Sequence, residues 1–360
     1  MRRRRRVRGW LVLAIAAGLL AAVPVPEAWV ERFYARGFYP WLQAVVTTLT
    51  NRSPVAVIDL VLAALVLAGL VRLLMLRRVW RRHGALGAIG EGARRLVRAA
   101  AIVVIVFLLS WGLNYRREPL AGTLEPPPPA STAILVEVIE EANRAAASLR
   151  PAVRDEDLTY AALADDLAGP MRQALRHVGR PQVFAPGRPR APRLLSPFFA
   201  RAGVTGMLNP FGLETLVHPD LVPVEHGFVL AHEWAHLAGH ADEAEASAVG
   251  WLACMYAGPA AAYSANLYLI MEAGAALHGE VRQRAFAALD EGVREDLAAI
   301  AARVHAQQDP RVQRAAFRVY DEYLRANRVE DGTASYGRAL SLILSPTLRS
   351  AMERHRPAAR

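Results

Sequence analysis

The sequence of 360 residues contains no lysine and a single cysteine, Cys254. One cysteine excludes an intrachain disulfide, and its place in an apolar helical pattern indicates a small buried side chain rather than a reactive thiol. A chain of this length can bury a sizeable core without the help of a metal or a disulfide. We therefore expect any metal that it binds to be catalytic rather than structural.

Charged residues are also scarce, at 21% of the chain, whereas hydrophobic residues make up 53%. This composition is more apolar than that of an ordinary soluble domain and indicates membrane segments. The net charge of +10 comes in large part from arginines in the first hundred residues, where they flank apolar runs. Membrane topology explains this charge better than a nucleic-acid surface does, and we predict no nucleic-acid partner.

Three apolar runs predict three transmembrane helices, at about residues 10–23, 55–76 and 99–113. The second run has the length that a bilayer requires. The first run is short and could be a signal peptide, but Trp10 and Trp29 near its two ends favour an uncleaved anchor.

The arginines predict the orientation of these helices. Six arginines precede the first run, and the connection between the second and third runs contains Arg77, Arg78, Arg81, Arg82, Arg94, Arg95 and Arg98. Because short cytoplasmic segments retain positive charge, both regions are predicted to be cytoplasmic. We expect a multi-pass protein of the cytoplasmic membrane, with the lipid bilayer as a partner and an extracytoplasmic carboxyl-terminal domain.

Four consecutive prolines, Pro126 to Pro129, predict a stiff stalk after the membrane segments. The predicted organisation is a membrane domain at residues 1–122, the stalk at 123–130 and a second domain at 131–360. Ser131 can cap the first helix of that second domain, and apolar residues then recur at helical spacing.

The second domain interrupts its helical pattern between residues 181 and 219, where proline and glycine are frequent. Short runs at residues 193–195 and 214–217 predict a small β element there. The long apolar run at 246–277 is broken by Gly258-Pro259, which predicts two buried helices rather than a fourth span.

The strongest motif is His232-Glu233-Trp234-Ala235-His236, an H-E-x-x-H sequence. Residues four apart lie on the same face of a helix, so His232 and His236 can bind one zinc ion. Glu233 can then accept a proton from zinc-bound water and pass it to the leaving amine. The flanking residues are apolar nearly all round and predict a buried helix, where ionisable groups are costly without a partner or a metal.

The spacing of the residues does not by itself identify the third metal ligand. His240 cannot share an ion with His232, because residues eight apart on a straight helix are separated by about 12 Å. Gly239 is expected to take a left-handed conformation that ends the helix and turns the chain back. The carboxylates that this turn could bring to the metal are Asp242, Glu243 and Glu245, with Glu272 as a more distant alternative.

These residues resemble the domain-of-unknown-function family 3810, which consists of bacterial multi-pass membrane proteins with a gluzincin-like H-E-x-x-H motif and a downstream E-x-E-A sequence. The matching stretches are Gly203 to Gly206, Pro210-Phe211, His232 to His236, Gly239, Glu243 to Ala246, Tyr320 to Leu324 and Gly332 to Tyr336. The resemblance implies Glu243 as the third ligand, because related gluzincins use a glutamate on the helix that follows the motif.

Other residues acquire candidate roles beside that set. Glu245 is a candidate to orient a histidine ring, and Tyr323 and Tyr336 are candidates to stabilise an oxyanion. The segment 203–217 is a candidate edge strand for an extended peptide, with simple packing of a hairpin as the alternative.

The predicted fold is mainly α, with three N-terminal transmembrane helices followed by a helical zincin-like (gluzincin) domain that contains a small antiparallel β element. The predicted function is that of a membrane-anchored zinc metallopeptidase acting on extracytoplasmic or membrane-proximal peptides. Two alternatives stay open: a catalytically silent zinc-binding sensory or scaffold protein, and a structural membrane protein with a coincidental motif.

Overall fold

The computed structural model of the protein describes residues 2–327 and 338–350. The fold is mainly helical, as predicted. The helices are α1 (Arg2–Ala22), α2 (Glu27–Trp29), α3 (Tyr39–Thr50), α4 (Val57–Ser110), α5 (Thr132–Leu149), α6 (Tyr160–His177), α7 (Ser196–Ala202), α8 (His226–Leu237), α9 (Glu243–Tyr256), α10 (Pro259–Ala275), α11 (Gly279–Ala287), α12 (Glu291–Gln307), α13 (Pro310–Ala326), α14 (Ala339–Ile343) and α15 (Pro346–Arg349), with a π-helix, Val30–Phe38, between α2 and α3.

The predicted β element is a two-stranded antiparallel sheet of β1 (Gly206–Asn209) and β2 (Glu214–Val217). The other predicted run, residues 193–195, forms a turn and not a strand. Its N–H groups are occupied: the Asp59 carboxylate accepts hydrogen bonds from the backbone of Arg193 and Leu194, at 2.8 and 3.0 Å.

The predicted set of three membrane spans is not confirmed. Among the described residues, one continuous segment, Val57–Met75 in α4, is long and apolar enough to cross a membrane. A second candidate is long and apolar enough only if two segments are taken together, Gly9–Ala22 and Glu27–Thr50, and these are bent by 108° relative to each other. The third predicted span loses its last residues, because α4 ends at Ser110 and Leu113 is buried in the protein core.

Helix α4 reverses direction at Gly84, where φ is +71°. Both of its ends lie at the β-hairpin: the Glu214 carboxylate accepts a hydrogen bond from the N–H of Val57 at 2.8 Å, and the ring of Phe107 lies 6.4 Å from that of Phe211. A straight helix of 54 residues would separate its ends by about 80 Å. The two arms of α4 therefore run antiparallel.

The core surrounds α8 and α9, which are buried on nearly all sides. The two buried helices predicted within residues 246–277 are α9 and α10, and they are separated at Gly258. The predicted cap of α5 is also present, since the Ser131 hydroxyl accepts a hydrogen bond from the N–H of Ile134.

Residues from the amino-terminal third belong to this same core. Tyr39, Trp111 and Leu120 are buried in one cluster with the apolar residues of α8 and α9. The Thr47 hydroxyl donates a hydrogen bond to the carbonyl of Leu213 at 2.8 Å. Contacts therefore cross the predicted domain boundaries at residues 122 and 130. The boundaries themselves stay a prediction.

Candidate metal centre

Helix α8 carries the H-E-x-x-H motif through the centre of the core. Trp234, between the two histidines, is fully buried and donates its indole N–H to the carbonyl of Gly187 at 2.8 Å. Helix α9 packs closely against α8 at Gly250, where an added Cβ would lie 2.8 Å from the backbone nitrogen of His232. A glycine is needed there for α9 to approach the motif.

The chain turns at Gly239 as predicted, with φ at +89°. The N–H of His240 donates to the carbonyl of Ala235 at 3.1 Å, and that of Gly239 donates to the carbonyl of His236 at 2.8 Å. These are the two bonds of a Schellman motif. The turn brings Glu243, the first residue of α9, back to the face of α8 that carries the histidines.

The three predicted ligands converge. The Nε2 atoms of His232 and His236 each lie 3.3 Å from Oε2 of Glu243, and the three atoms lie within 4.8 Å of one another. Two ligand atoms at about 2.1 Å from a tetrahedral zinc ion are separated by about 3.4 Å. The three side chains therefore fit a zinc ion, and the described residues contain no second cluster of this kind.

Both histidine rings are oriented through their other nitrogen. Nδ1 of His236 lies 2.7 Å from the carbonyl oxygen of His240, and Nδ1 of His232 lies 3.2 Å from the hydroxyl of Ser247. With Nδ1 protonated as the donor to a carbonyl, the lone pair of Nε2 is left for the metal. Ser247 was not predicted from the sequence, although its position four residues after Glu243 places it on the same face of α9.

The second oxygen of Glu243 is also held. The Tyr320 hydroxyl on α13 donates a hydrogen bond to Oε1, which leaves Oε2 directed at the histidines. Tyr323, a candidate from the sequence to stabilise an oxyanion, stacks on the Tyr320 ring with 5.8 Å between the ring centres. Burial raises the pKa of Tyr323 to about 12. The other predicted tyrosine, Tyr336, lies outside the described residues.

The Glu243 carboxylate dominates the electrostatics of the cluster. Burial lowers the pKa of His232. For His236 burial acts in the same direction, but the Glu243 carboxylate outweighs it and raises the pKa to about 9. Burial alone would raise the pKa of Glu243, yet the two histidines hold it well below its usual range. Glu243 is therefore ionised, as a metal ligand must be.

Glu233 lies beside this cluster with a free oxygen. The residue is buried, and its Oε2 has no hydrogen-bond partner among the described residues. Burial raises the pKa of its carboxyl to about 8. A carboxyl with a pKa near neutrality can both take up and release a proton at physiological pH.

Strand β1 passes directly over Glu233. A Cβ added to Gly206 would lie 2.5 Å from Oε1 of Glu233 and 2.8 Å from its Cδ. Only glycine leaves room for the carboxylate at this position. The sequence placed Gly206 in a matching motif but gave no reason for it.

For the predicted peptidase, replacement of Gly206 with alanine is expected to displace the Glu233 carboxylate and to lower turnover by about 100-fold, the cost of misplacing a catalytic group by about 1 Å. Zinc binding should be unchanged, because the ligands do not contact Gly206. Peptide cleavage and zinc content of the purified full chain measure the two effects. Met207→Ala, the neighbouring strand position on the other face, is the control, and equal cleavage by both variants would contradict this role.

Asp242, one of the carboxylates left open by spacing, has other partners. Asp242 caps α9: its Oδ1 accepts hydrogen bonds from the N–H groups of Ala244 and Glu245, at 3.0 and 3.1 Å. Its Oδ2 forms an ion pair with Arg338 at 2.8 Å. Neither Asp242 nor Glu272 belongs to the cluster.

Glu245 orients a histidine, but not one of the ligands. Its Oε2 lies 3.1 Å from Nδ1 of His240 and accepts a hydrogen bond from Arg180 at 3.2 Å, while Oε1 accepts from the N–H of Leu120 at 2.6 Å. His240 is fully buried, and burial lowers its pKa to about 4. Its ring is directed to Glu245, which agrees with its exclusion as a coligand.

One protein family accounts for most of the chain. The family model described as "Protein of unknown function (DUF3810)" matches residues 34–344, which include the motif, the turn at Gly239 and the end of α4. No curated protein and no solved structure matches the chain.

Proposed function

The chain belongs to the DUF3810 family, whose function is unknown, and we propose that it is a membrane-anchored zinc metallopeptidase. One observation carries this proposal: two histidine Nε2 atoms and one carboxylate oxygen converge at zinc spacing beside the buried carboxylate of Glu233, whose Oε2 has no hydrogen-bond partner among the described residues. Structural zinc sites use four protein ligands, whereas catalytic sites use three and leave one position for water or substrate. The cluster offers three.

A zinc ion at this site would polarise a peptide carbonyl and lower the pKa of a water molecule. Glu233 would accept the proton of the attacking water at Oε2 and deliver it to the amine that leaves. His240 and Tyr320 would keep His236 and Glu243 in place during both steps.

The proposed substrate is an extended peptide. Strand β1 pairs with β2 on one edge, and within the described sheet no strand covers its other edge. A peptide could add to that edge through backbone hydrogen bonds. Because Gly206 of β1 lies against Glu233, a peptide bound there would pass next to the general base.

We further propose that α1 and both arms of α4 cross the membrane. The end of α1 lies near the candidate metal centre: Arg116 donates to the carbonyls of Leu20 and Ala21 at 3.0 and 2.9 Å, and the next residue, Arg117, contacts Gly239. Both ends of α4 lie at the β-hairpin. In α1 and in both arms of α4, the arginine runs lie at the end away from the metal site. The positive-inside rule places those ends in the cytoplasm and therefore favours an extracytoplasmic metal site.

Thiol labelling tests this orientation. Cys254 is fully buried and gives a low background. A membrane-impermeant maleimide added to intact cells should label Glu280→Cys, on the exposed surface of α11, and not Leu86→Cys, next to the reversal of α4. Both variants should react after lysis. Labelling of the Leu86→Cys variant in intact cells would contradict the orientation.

Zinc analysis of the full chain, purified in detergent, tests the function. We expect one zinc ion per chain and cleavage of a mixed peptide pool that stops when zinc is removed by a chelator and returns when zinc is added. Stoichiometric zinc without cleavage would favour a sensory or scaffold role. Absence of zinc would exclude both the peptidase and the zinc-binding sensory or scaffold protein.

A further inference from the structure

The end of α8 is held by side chains from distant parts of the chain. A helix end leaves up to four carbonyl groups without an intrahelical partner, and the Schellman turn satisfies those of Ala235 and His236 only. Four further bonds reach this region: Trp111 Nε1 to the His236 carbonyl at 3.2 Å, Tyr39 hydroxyl to Leu237 at 2.9 Å, Gln182 Nε2 to Ala238 at 2.5 Å and Arg117 Nη1 to Gly239 at 3.0 Å.

Three of these four donors come from segments next to the apolar helices. Tyr39 begins α3, and Trp111 and Arg117 follow the end of α4. All three are buried, so water cannot replace them as donors. An added Cβ on Gly239 would lie within about 3 Å of Arg117 and Tyr39, which places both against the backbone of the turn.

This turn also orients a ligand. The carbonyl that accepts the hydrogen bond from Nδ1 of His236 belongs to His240, the residue directly after Gly239. If the turn shifts, Nδ1 loses its acceptor and Nε2 is no longer fixed as the free lone pair. The position of one peptide unit therefore helps to fix which nitrogen of His236 carries the proton.

We propose that Tyr39 and Arg117 are positioning residues of the metal site. By holding the carbonyls of Leu237 and Gly239, they fix the carbonyl of His240 and, through it, the ring of His236. The geometry of the site then depends on segments that adjoin the membrane helices. This role rests on the proposed zinc site.

Two tyrosines provide a matched test in the full chain. Tyr39→Phe removes the hydroxyl that contacts α8, whereas Tyr34→Phe removes a hydroxyl that donates to the carbonyl of Leu109 at the end of α4, at 3.1 Å. We expect Tyr39→Phe to weaken zinc binding about 10-fold, the lower end of the range for groups that orient ligands, and Tyr34→Phe to change it less than about twofold. Competition with a fluorescent chelator measures the affinity.

Arg117→Lys and the neighbouring Arg116→Lys form a second pair. Both arginines are buried and donate to carbonyls, but Arg116 contacts the end of α1. Arg117 contacts the turn and also forms a buried ion pair with Glu31 at 2.8 Å, for which lysine keeps the charge. Cobalt substituted for zinc gives a second readout, since its visible spectrum reports ligand geometry. Tyr39→Phe and Arg117→Lys should alter this spectrum, and their two controls should not.

Urea unfolding of the metal-free proteins separates positioning from stability. If Tyr39→Phe and Arg117→Lys bind zinc as well as their controls do, or if each pair loses affinity equally, the positioning role is overturned while the zinc site stands. A parent protein that binds no zinc overturns both.

Discussion

Replacement of Glu233 with glutamine is expected to lower peptide cleavage by about 1,000-fold and to leave zinc bound, since a positioned general base contributes about 100-fold to 10,000-fold. The amide has the shape of the carboxyl but cannot accept a proton. Burial already favours the uncharged form of Glu233, whose pKa is raised to about 8. The neutral amide should therefore fit without loss of stability.

Cleavage of a peptide pool, zinc content and thermal unfolding of the full chain measure this result. Glu272→Gln is the matched control, because Glu272 is another carboxyl whose pKa burial raises, and it lies outside the metal cluster. It should leave cleavage and zinc unchanged. Background cleavage in the parent, equal to that of Glu233→Gln, would exclude the peptidase function.

Replacement of Glu243 with glutamine is expected to weaken zinc binding by more than about 100-fold, which exceeds the usual effect of losing a group that only orients a ligand. The substitution removes the charge at Oε2, where both histidines converge, and keeps the size of the side chain. His236→Ala should have a comparable effect. Zinc affinity from chelator competition is the measurement.

Asp242→Asn is the control for Glu243. Asparagine caps a helix as well as aspartate does, so α9 should keep the two hydrogen bonds that Asp242 accepts from its first turn. The variant loses the ion pair with Arg338 but should retain zinc. Zinc lost from Asp242→Asn and retained by Glu243→Gln would transfer the ligand role to Asp242.

The parts of the site that follow from local helix geometry could be predicted. The spacing of His232 and His236, and the turn at Gly239, depend on residues within one or two helical turns of each other. Spacing alone could not separate Asp242 from Glu243, although one signal was present. Aspartate followed three residues later by glutamate is a typical helix start, which would have assigned Asp242 to capping.

The parts that depend on distant segments could not be predicted. Gly206 and Tyr320 contact Glu233 and Glu243 only because β1 and α13 fold back over α8 and α9. The environment of the third apolar run could not be predicted either. Its hydrophobicity indicates burial but cannot distinguish lipid from protein, and Leu113 at its end lies in the protein core.

The hydrogen bonds at the end of α8 also imply an order in which the parts of the site form during synthesis. Trp111 precedes its acceptor, His236, by 125 residues, and Tyr39 and Arg117 likewise leave the ribosome before α8. Domains generally fold from the amino terminus during synthesis, so these donors would be in place when the motif emerges. A fragment that starts at the proline stalk would lack all three. Under the proposed function, zinc loading should then follow membrane insertion, and such a fragment should bind zinc more weakly than the full chain.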